Sequence, residues 1–392
     1  MGIQEAGTKA GRHQRGVWTE IGRSGGNEVT TAGDVTDSTR SAPQRAQDAP
    51  SAARGGGAAR ASALPYLLLA VLCFALFFWR LGAVPLIGLD EGLYSETSRE
   101  MLASGDYVVP TCNGEPFFDK PPLVYWLQAA SMRVFEVNSF AVRLPSAVAE
   151  LLLVVLTVFL GARLFGRRVG LMSGFALATC TLTVGLARMA ILDAAFALCI
   201  TCSLAAFLLA CLKLAGRAAY VVFWAAMGLS ALVKGPAGPV VITATVFVFL
   251  LLRRDLRSIG RAMPLVGALV ALAIALPWYV LVAQRTGGAF LNEFIIHQNM
   301  QRALGQDFHH NMPFWAYLPI WLVGFFPWSV FLPAALGRAH RQAGDAELQK
   351  RTEGAFLFLT VWIAVILVIF SILKSKLPAY IYPIYPASAL LV

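Results

Sequence analysis

The side chains able to do chemistry are concentrated between Leu89 and Trp126. This segment carries seven carboxylates, Asp90, Glu91, Glu96, Glu100, Asp106, Glu115 and Asp119, and two cations, Arg99 and Lys120. A carboxylate at a membrane edge can take a proton from an incoming hydroxyl or amine, and the pair Asp90-Glu91 is placed for that task. The alternative for Asp90 is to cap the helix that follows. An ammonium at Lys120 would hold a phosphate and stabilise it as a leaving group, with Arg99 and Arg302 as further candidates. The competing reading of Lys120 is a cation snorkelling to the interface, and Asp119 beside it could be a cap. Asp193 sits just inside an apolar run, where a lone carboxylate is costly and marks a functional site by default, unless it caps its own helix. His309-His310 would suit a metal only with carboxylates from the first loop, and is otherwise polar surface.

Nearly everything around these residues reads as membrane. The 392-residue chain is 57% hydrophobic and 14% charged, where soluble domains carry about a quarter charged residues. The first apolar run opens near Leu64, and others follow at 141–162, 170–187, 191–212, 219–233, 238–252, 263–283, 314–337 and 355–373, with a last one from Pro378. That makes about ten spans against a hydrocarbon thickness of ~30 Å, the fifth and sixth of them short. Basic residues fall in alternate loops: Arg163, Arg167 and Arg168; Lys213 and Arg217; Arg253, Arg254, Arg257 and Arg261; Arg338, Arg341, Lys350 and Arg351. By the positive-inside rule these loops are cytoplasmic. The net charge of +10 is thereby accounted for without nucleic acid. The Asp90 segment, the link at Arg188, Lys234 to Pro239, Gln284 to Pro313 and Lys374 to Leu377 then lie outside.

The first outer loop has its own expected structure. Leu93, Tyr94, Thr97, Met101 and Leu102 share one helical side, with Glu96, Arg99 and Glu100 on the other. The spacing predicts a short interfacial helix with Glu96 and Arg99 paired at i,i+3, ended by Ser104-Gly105-Asp106. Pro121-Pro122 would open a second helix rich in aromatic residues. Residues 1–63 have almost no aliphatic or aromatic side chains, and are expected to form a disordered cytoplasmic tail. The Cys199-x-x-Cys202 pair reads as small packed residues rather than a redox or metal site.

The matching runs D-E-G-x-Y-x-E-x-S-R-E-M-x-x-S-G-D-Y from Asp90 and N-G-E-P-F-F-D-K-P-P-L-x-Y-W to Trp126 resemble polyprenyl-phosphate-dependent membrane glycosyltransferases. The nearest resemblance is to the aminoarabinose-transferase-like branch of the protein-mannosyltransferase superfamily. A-x-R-L-P at Ala141, A-R-M-A-I-L-D at Ala187, K-G-P-A-G-P at Lys234, H-H-N-M-P-F-W at His309 and S-K-L-P-A-Y-I-Y-P-I-Y-P at Ser375 extend it from about Leu64 to Val392. The resemblance implies an all-α polytopic membrane protein of GT-C type, with residues 64–392 as a transmembrane domain truncated at its C-terminus. It also implies inverting transfer, with Asp90 and Asp193 as the acidic catalytic positions, Lys120 as the phosphate ligand, and Tyr94 and Arg99 on the supporting helix. A divalent metal is implied at Asp119, His309 and His310, although the family commonly has Glu where this chain has the shorter Asp119. No other cofactor is expected, since the sequence has no Gly-rich phosphate loop and no D-x-D pair.

The expected function is therefore transfer of a sugar from a polyprenyl-phosphate donor to a glycan, lipid or protein acceptor. It would take place at the periplasmic face of a bacterial inner membrane, among membrane lipids. The rival from another class is a transporter or lipid flippase, whose charged residues would line a path through the bundle. An outward-facing pocket holding Asp90, Lys120 and Asp193 would favour the enzyme.

Overall fold

The computed structural model describes residues 54–301, 312–338 and 346–392. The first span, α1, runs Arg54–Cys73 and continues as a π-helical turn, Phe74–Phe78. It begins inside the segment expected to be unstructured, where Ala58, Ala59, Ala61 and Ala63 are good helix formers that let the span propagate beyond its apolar stretch. Residues 1–53 of the expected tail lie outside the described residues.

Two helices follow in the first long loop: α2, Leu89–Ser104, and α3, Leu123–Phe135. Between them a two-residue antiparallel clip pairs Thr111–Cys112 with Glu115–Pro116. α2 ends as expected at Gly105, whose φ of +73° lets its N–H return to the Met101 carbonyl. Glu96 and Arg99 pair at 2.7 Å on the outward side. The inward side is more polar than a lipid-facing helix would be, because Glu91, Ser95 and Ser98 are buried along with Tyr94, Thr97 and Met101. Those groups are satisfied by protein: Ser98 Oγ donates to Gln128 Oε1 at 2.7 Å, and Gln128 donates to the Ala190 carbonyl. α2 therefore rests on other helices and not on lipid alone.

The spans come next: α4, Ser139–Phe165; α5, Arg167–Thr179; α6, Thr181–Ala187; α7, Asp193–Cys211; α8, Ala218–Lys234; α9, Ala237–Leu252; α10, Pro264–Arg285; and α11, Ala346–Ile372. α4, α7, α10 and Thr352–Ile372 of α11 are long and apolar enough to cross a bilayer singly. α8, α9 and Ala63–Phe78 are apolar but shorter. Two further runs are broken: α5 and α6 meet at 67°, and Phe314–Gly324 meets Trp328–Ala335 at 109°. A break in the membrane frees backbone groups that must find partners, and the two breaks supply each other. Thr181 N–H donates to the Phe326 carbonyl, and Trp328 Nε1 donates to Thr179 Oγ1 at 2.8 Å. The last run forms a 3-10 helix, Pro378–Ile384, then Tyr385–Leu391, and from Ile381 to Leu391 it is packed into the bundle core with Phe207, Phe249, Phe358 and Trp362.

The loops sort into two ends. At the basic end Arg163 donates to the Leu214 carbonyl, joining the α4 terminus to the link before α8. At the other end Arg188, after α6, donates to the carbonyls of Leu76, Trp79 and Arg80 where the first span finishes. Each of these contacts joins two segments that the charge pattern assigns to the same side.

Candidate active site

Glu91 and Arg143 fasten the first loop to the bundle. Glu91 is 1% exposed and Arg143, on α4, 4%. The guanidinium makes two bonds of 3.0 Å to the two carboxylate oxygens, and also donates to the carbonyls of Leu81, Val84 and Pro85. The same carboxylate accepts the N–H of Ile87 and of Ala190, each at 2.7 Å. Burial by itself pushes the Glu91 carboxyl up, but Arg143 and the two backbone N–H groups together bring it below the ordinary value. With four donors on it, Glu91 is not a free base. Its expected catalytic place is corrected to a positioning one: it caps α2 from within and orients the loop.

Asp90, one residue earlier, is exposed and has no hydrogen bond or ion pair among the described residues. Gly88 holds the cap position, so the capping alternative for Asp90 is not what the backbone uses. Its carboxylate is left open to a substrate.

Lys120 and Lys234 converge on one cavity from different parts of the chain. The cavity, about 120 Å³, is lined by Asp119, Lys120, Phe196, Lys234, Phe294, Gln298, Ser375 and Tyr380, among others. Lys120 Nζ lies 2.7 Å from Asp119 Oδ1, and Tyr94 Oη donates to Asp119 Oδ2 at 3.1 Å. Burial, then the charge of Asp119, with further effects of Tyr125, Asp90 and Asp193, holds the Tyr94 phenol well above its ordinary pKa. Tyr94 therefore stays a hydrogen-bond donor, and Asp90, Asp119 and Asp193 all lie within electrostatic reach of it.

Asp193 occupies the first turn of α7 and accepts from Lys234 Nζ at 2.6 Å. That ammonium also lies 5.2 Å from the centre of the Phe196 ring and 5.3 Å from that of Tyr380, a cation–π arrangement on two rings. Lys234 ends α8 because Gly235 follows with φ +68°; a Cβ there would fall 2.4 Å from the Phe294 ring, which lines the same cavity. Tyr380 packs against the Phe370 ring, their centroids 5.8 Å apart, and, two residues on, the Tyr382 hydroxyl bonds Glu150 at 2.6 Å and Thr183 at 3.1 Å in the core. A second, more open cavity of about 490 Å³ adjoins the first through Asp119 and Gln298, with Phe118, Asn292 and Glu293 on its walls.

Of the residues expected from sequence, Lys120, Asp119, Asp193 and Tyr94 are brought together, directly or through one contact. Arg99 is not: it faces solvent on Glu96. Arg302, His309 and His310 lie outside the described residues. For a divalent metal the described donors are a poor fit. Asp119 has one oxygen on an ammonium and the other on a phenol, and no three His, Cys, Asp or Glu side chains gather among the described residues. Lys234, Phe196, Gln298, Ser375 and Tyr380 were not singled out from sequence. Lys234 carried a usable signal, since a carboxylate inside a span calls for a cationic partner, and K-G-P-A-G-P holds one at a loop on the same side.

Residues 119–281 match the family described as Dolichyl-phosphate-mannose-protein mannosyltransferase. The chain is 33% identical over 335 residues to the undecaprenyl phosphate-alpha-4-amino-4-deoxy-L-arabinose arabinosyl transferase of Edwardsiella ictaluri, covering 83% of this chain and 58% of that protein. The protein of the same description from Pseudomonas aeruginosa strain UCBPP-PA14 is also 33% identical, over 336 residues, 82% of this chain and 58% of that protein. Among solved structures, ArnT from Cupriavidus metallidurans bound to undecaprenyl phosphate superposes with a TM-score of 0.75 at 31% identity, over 87% of this chain and 60% of that one. An Archaeoglobus fulgidus oligosaccharyltransferase shares the fold alone, with a TM-score of 0.56 at 15% identity, over 84% of this chain and 49% of that one.

Proposed function

By sequence and by fold this chain is ArnT-like, and from that premise we propose that it moves a sugar from an undecaprenyl-phosphate carrier to an acceptor glycolipid. The proposed sugar is 4-amino-4-deoxy-L-arabinose, by likeness to the relatives, which the chain matches over 58% of their length. The single observation that carries the reading is the convergence of Lys120 and Lys234 on one cavity. Two ammonium groups held by carboxylates and aromatic rings suit a lipid-linked phosphate, and a preorganised cation is worth most where charge develops.

In the proposed reaction the acceptor oxygen attacks the anomeric carbon from the face opposite the phosphate. The new C–O bond forms as the bond to the phosphate oxygen breaks, and the phosphate leaves with both electrons onto Lys120 and Lys234. The acceptor proton passes to Asp90. Asp119 and Asp193 position the two lysines, and Tyr94 holds Asp119. The wider cavity at Asn292 and Glu293 would receive the sugar.

This end of the bundle is proposed to face the periplasm of a bacterial inner membrane, which the basic loops at the other end support. The gathering of the acidic and basic groups at one end, not along a path, speaks for an enzyme and against a transporter.

The test is transfer by the purified protein in detergent, with undecaprenyl phosphate-linked aminoarabinose as donor and lipid A as acceptor, read by mass spectrometry. An added aminoarabinose on the acceptor is expected. Donor bound but no product with this acceptor or with envelope extracts would overturn the enzymatic reading.

A further inference from the structure

Ser375 lies on the loop between α11 and the final 3-10 helix and lines the lysine cavity. It is 2% exposed, and its hydroxyl has no hydrogen-bond partner among the described residues. Leaving a buried hydroxyl unsatisfied is costly, and each instance calls for an explanation. Other buried side chains share this condition among the described residues, including Ser95, Tyr125, Thr201 and Trp362, but Ser375 alone of that set lines either cavity. Its neighbour Lys376 is also buried, with its ammonium bonded to the Leu373 carbonyl, so this loop lines the cavity with Ser375 and not with a third ammonium.

We propose that Ser375 is a third donor to the lipid-linked phosphate, beside Lys120 and Lys234; this rests on the phosphate assignment made above. A serine hydroxyl turns about one bond among three staggered positions, and here it gives up no existing bond by turning toward a ligand. A phosphate oxygen is an acceptor only, so the hydroxyl would donate. Its proton stays on the serine throughout, and no bond to it is made or broken. The two lysines are point charges with freely turning donors, whereas a hydroxyl fixed to the backbone of a packed loop adds direction. The bond strengthens as charge builds on the leaving phosphate, so Ser375 would serve both binding and rate.

The test uses the full chain in detergent, undecaprenyl phosphate as probe, and three proteins: wild type, Ser375→Ala and Lys120→Ala. Removing a hydroxyl that has no partner should leave the melting temperature of the ligand-free protein unchanged or raise it. Undecaprenyl phosphate should bind Ser375→Ala about fivefold to tenfold more weakly, with a smaller ligand-induced rise in melting temperature. Weak binding by Lys120→Ala with wild-type binding by Ser375→Ala overturns the serine's role and leaves the phosphate assignment standing. Wild-type binding by Lys120→Ala overturns the assignment itself. A lowered melting temperature of ligand-free Ser375→Ala shows that the hydroxyl was already bonded, which also overturns the proposal.

Discussion

Asp90 stands in the first turn of α2 with no partner among the described residues, one position before a carboxylate that has four donors. Residue type cannot separate the two, and sequence reasoning gave both a catalytic place. The difference comes from Arg143, 52 positions from Glu91, a pairing that no local spacing reveals. Lys120, Asp119 and Asp193 were legible because charged side chains beside apolar runs are too costly to be incidental. For Asp90 the expected outcome of Asp90→Asn is a fall in transfer rate of about 10²–10⁴-fold, with binding of undecaprenyl phosphate and the melting temperature close to wild type. The amide keeps the size and cannot take the proton. Single-turnover assays with a labelled donor measure this, and turnover within a factor of a few of wild type would remove Asp90 from the chemistry.

At the scale of elements, α2 was readable from its pattern, since its outward Glu96–Arg99 pair and its Gly105 stop follow from helix periodicity and from the conformations glycine tolerates. The broken spans were not, because a hydropathy run records apolarity and not direction, and the bend at Cys180 depends on Phe326 and Trp328 far along the chain. What clamps α2 onto α4 is the Glu91–Arg143 pair, and this leads to a prediction in pH. In the wild type the Glu91 pKa is lowered on folding. Its contribution to stability is then fully present above the unfolded carboxylate pKa, about 4.3, and is lost as pH falls through the lower folded value. In Arg143→Met the charge is buried without its guanidinium, which should cost about 3–5 kcal/mol at neutral pH. Burial then raises the Glu91 pKa in the folded protein, so the sign of the dependence reverses. Thermal unfolding followed from about pH 7 to about pH 4 should show the contribution of this carboxyl nearly constant in wild type, falling only at still lower pH, and rising in Arg143→Met. Parallel curves for the two proteins would show that the pair does not hold the loop.

For the whole molecule, the two polar ends imply a sidedness that labelling can measure. Cys112 is buried and is a poor reporter, whereas Glu115 and Arg257 are exposed at opposite ends. An impermeant thiol reagent added to spheroplasts should modify Glu115→Cys directly and Arg257→Cys only after permeabilisation. The reverse pattern would put the lysine cavity on the cytoplasmic face. The gross architecture was legible from sequence because it follows from apolar runs and basic loops, while the cavity was not, since it is made by residues far apart in the chain, from Asp119 to Tyr380, that only the bundle brings together. The reach of Arg143 and Arg188 back to the first span and its loop also bears on how the chain is made. Residues emerge from the ribosome in order, so α2 is made before the groups that secure it exist. Until Ala190 has been synthesised, Glu91 lacks one of its four donors, and the carbonyls that end the first span wait for Arg188. On the proposed sidedness the acidic loop would be translocated early and set late, and a nascent chain halted before Arg143 would carry it exposed to envelope proteases.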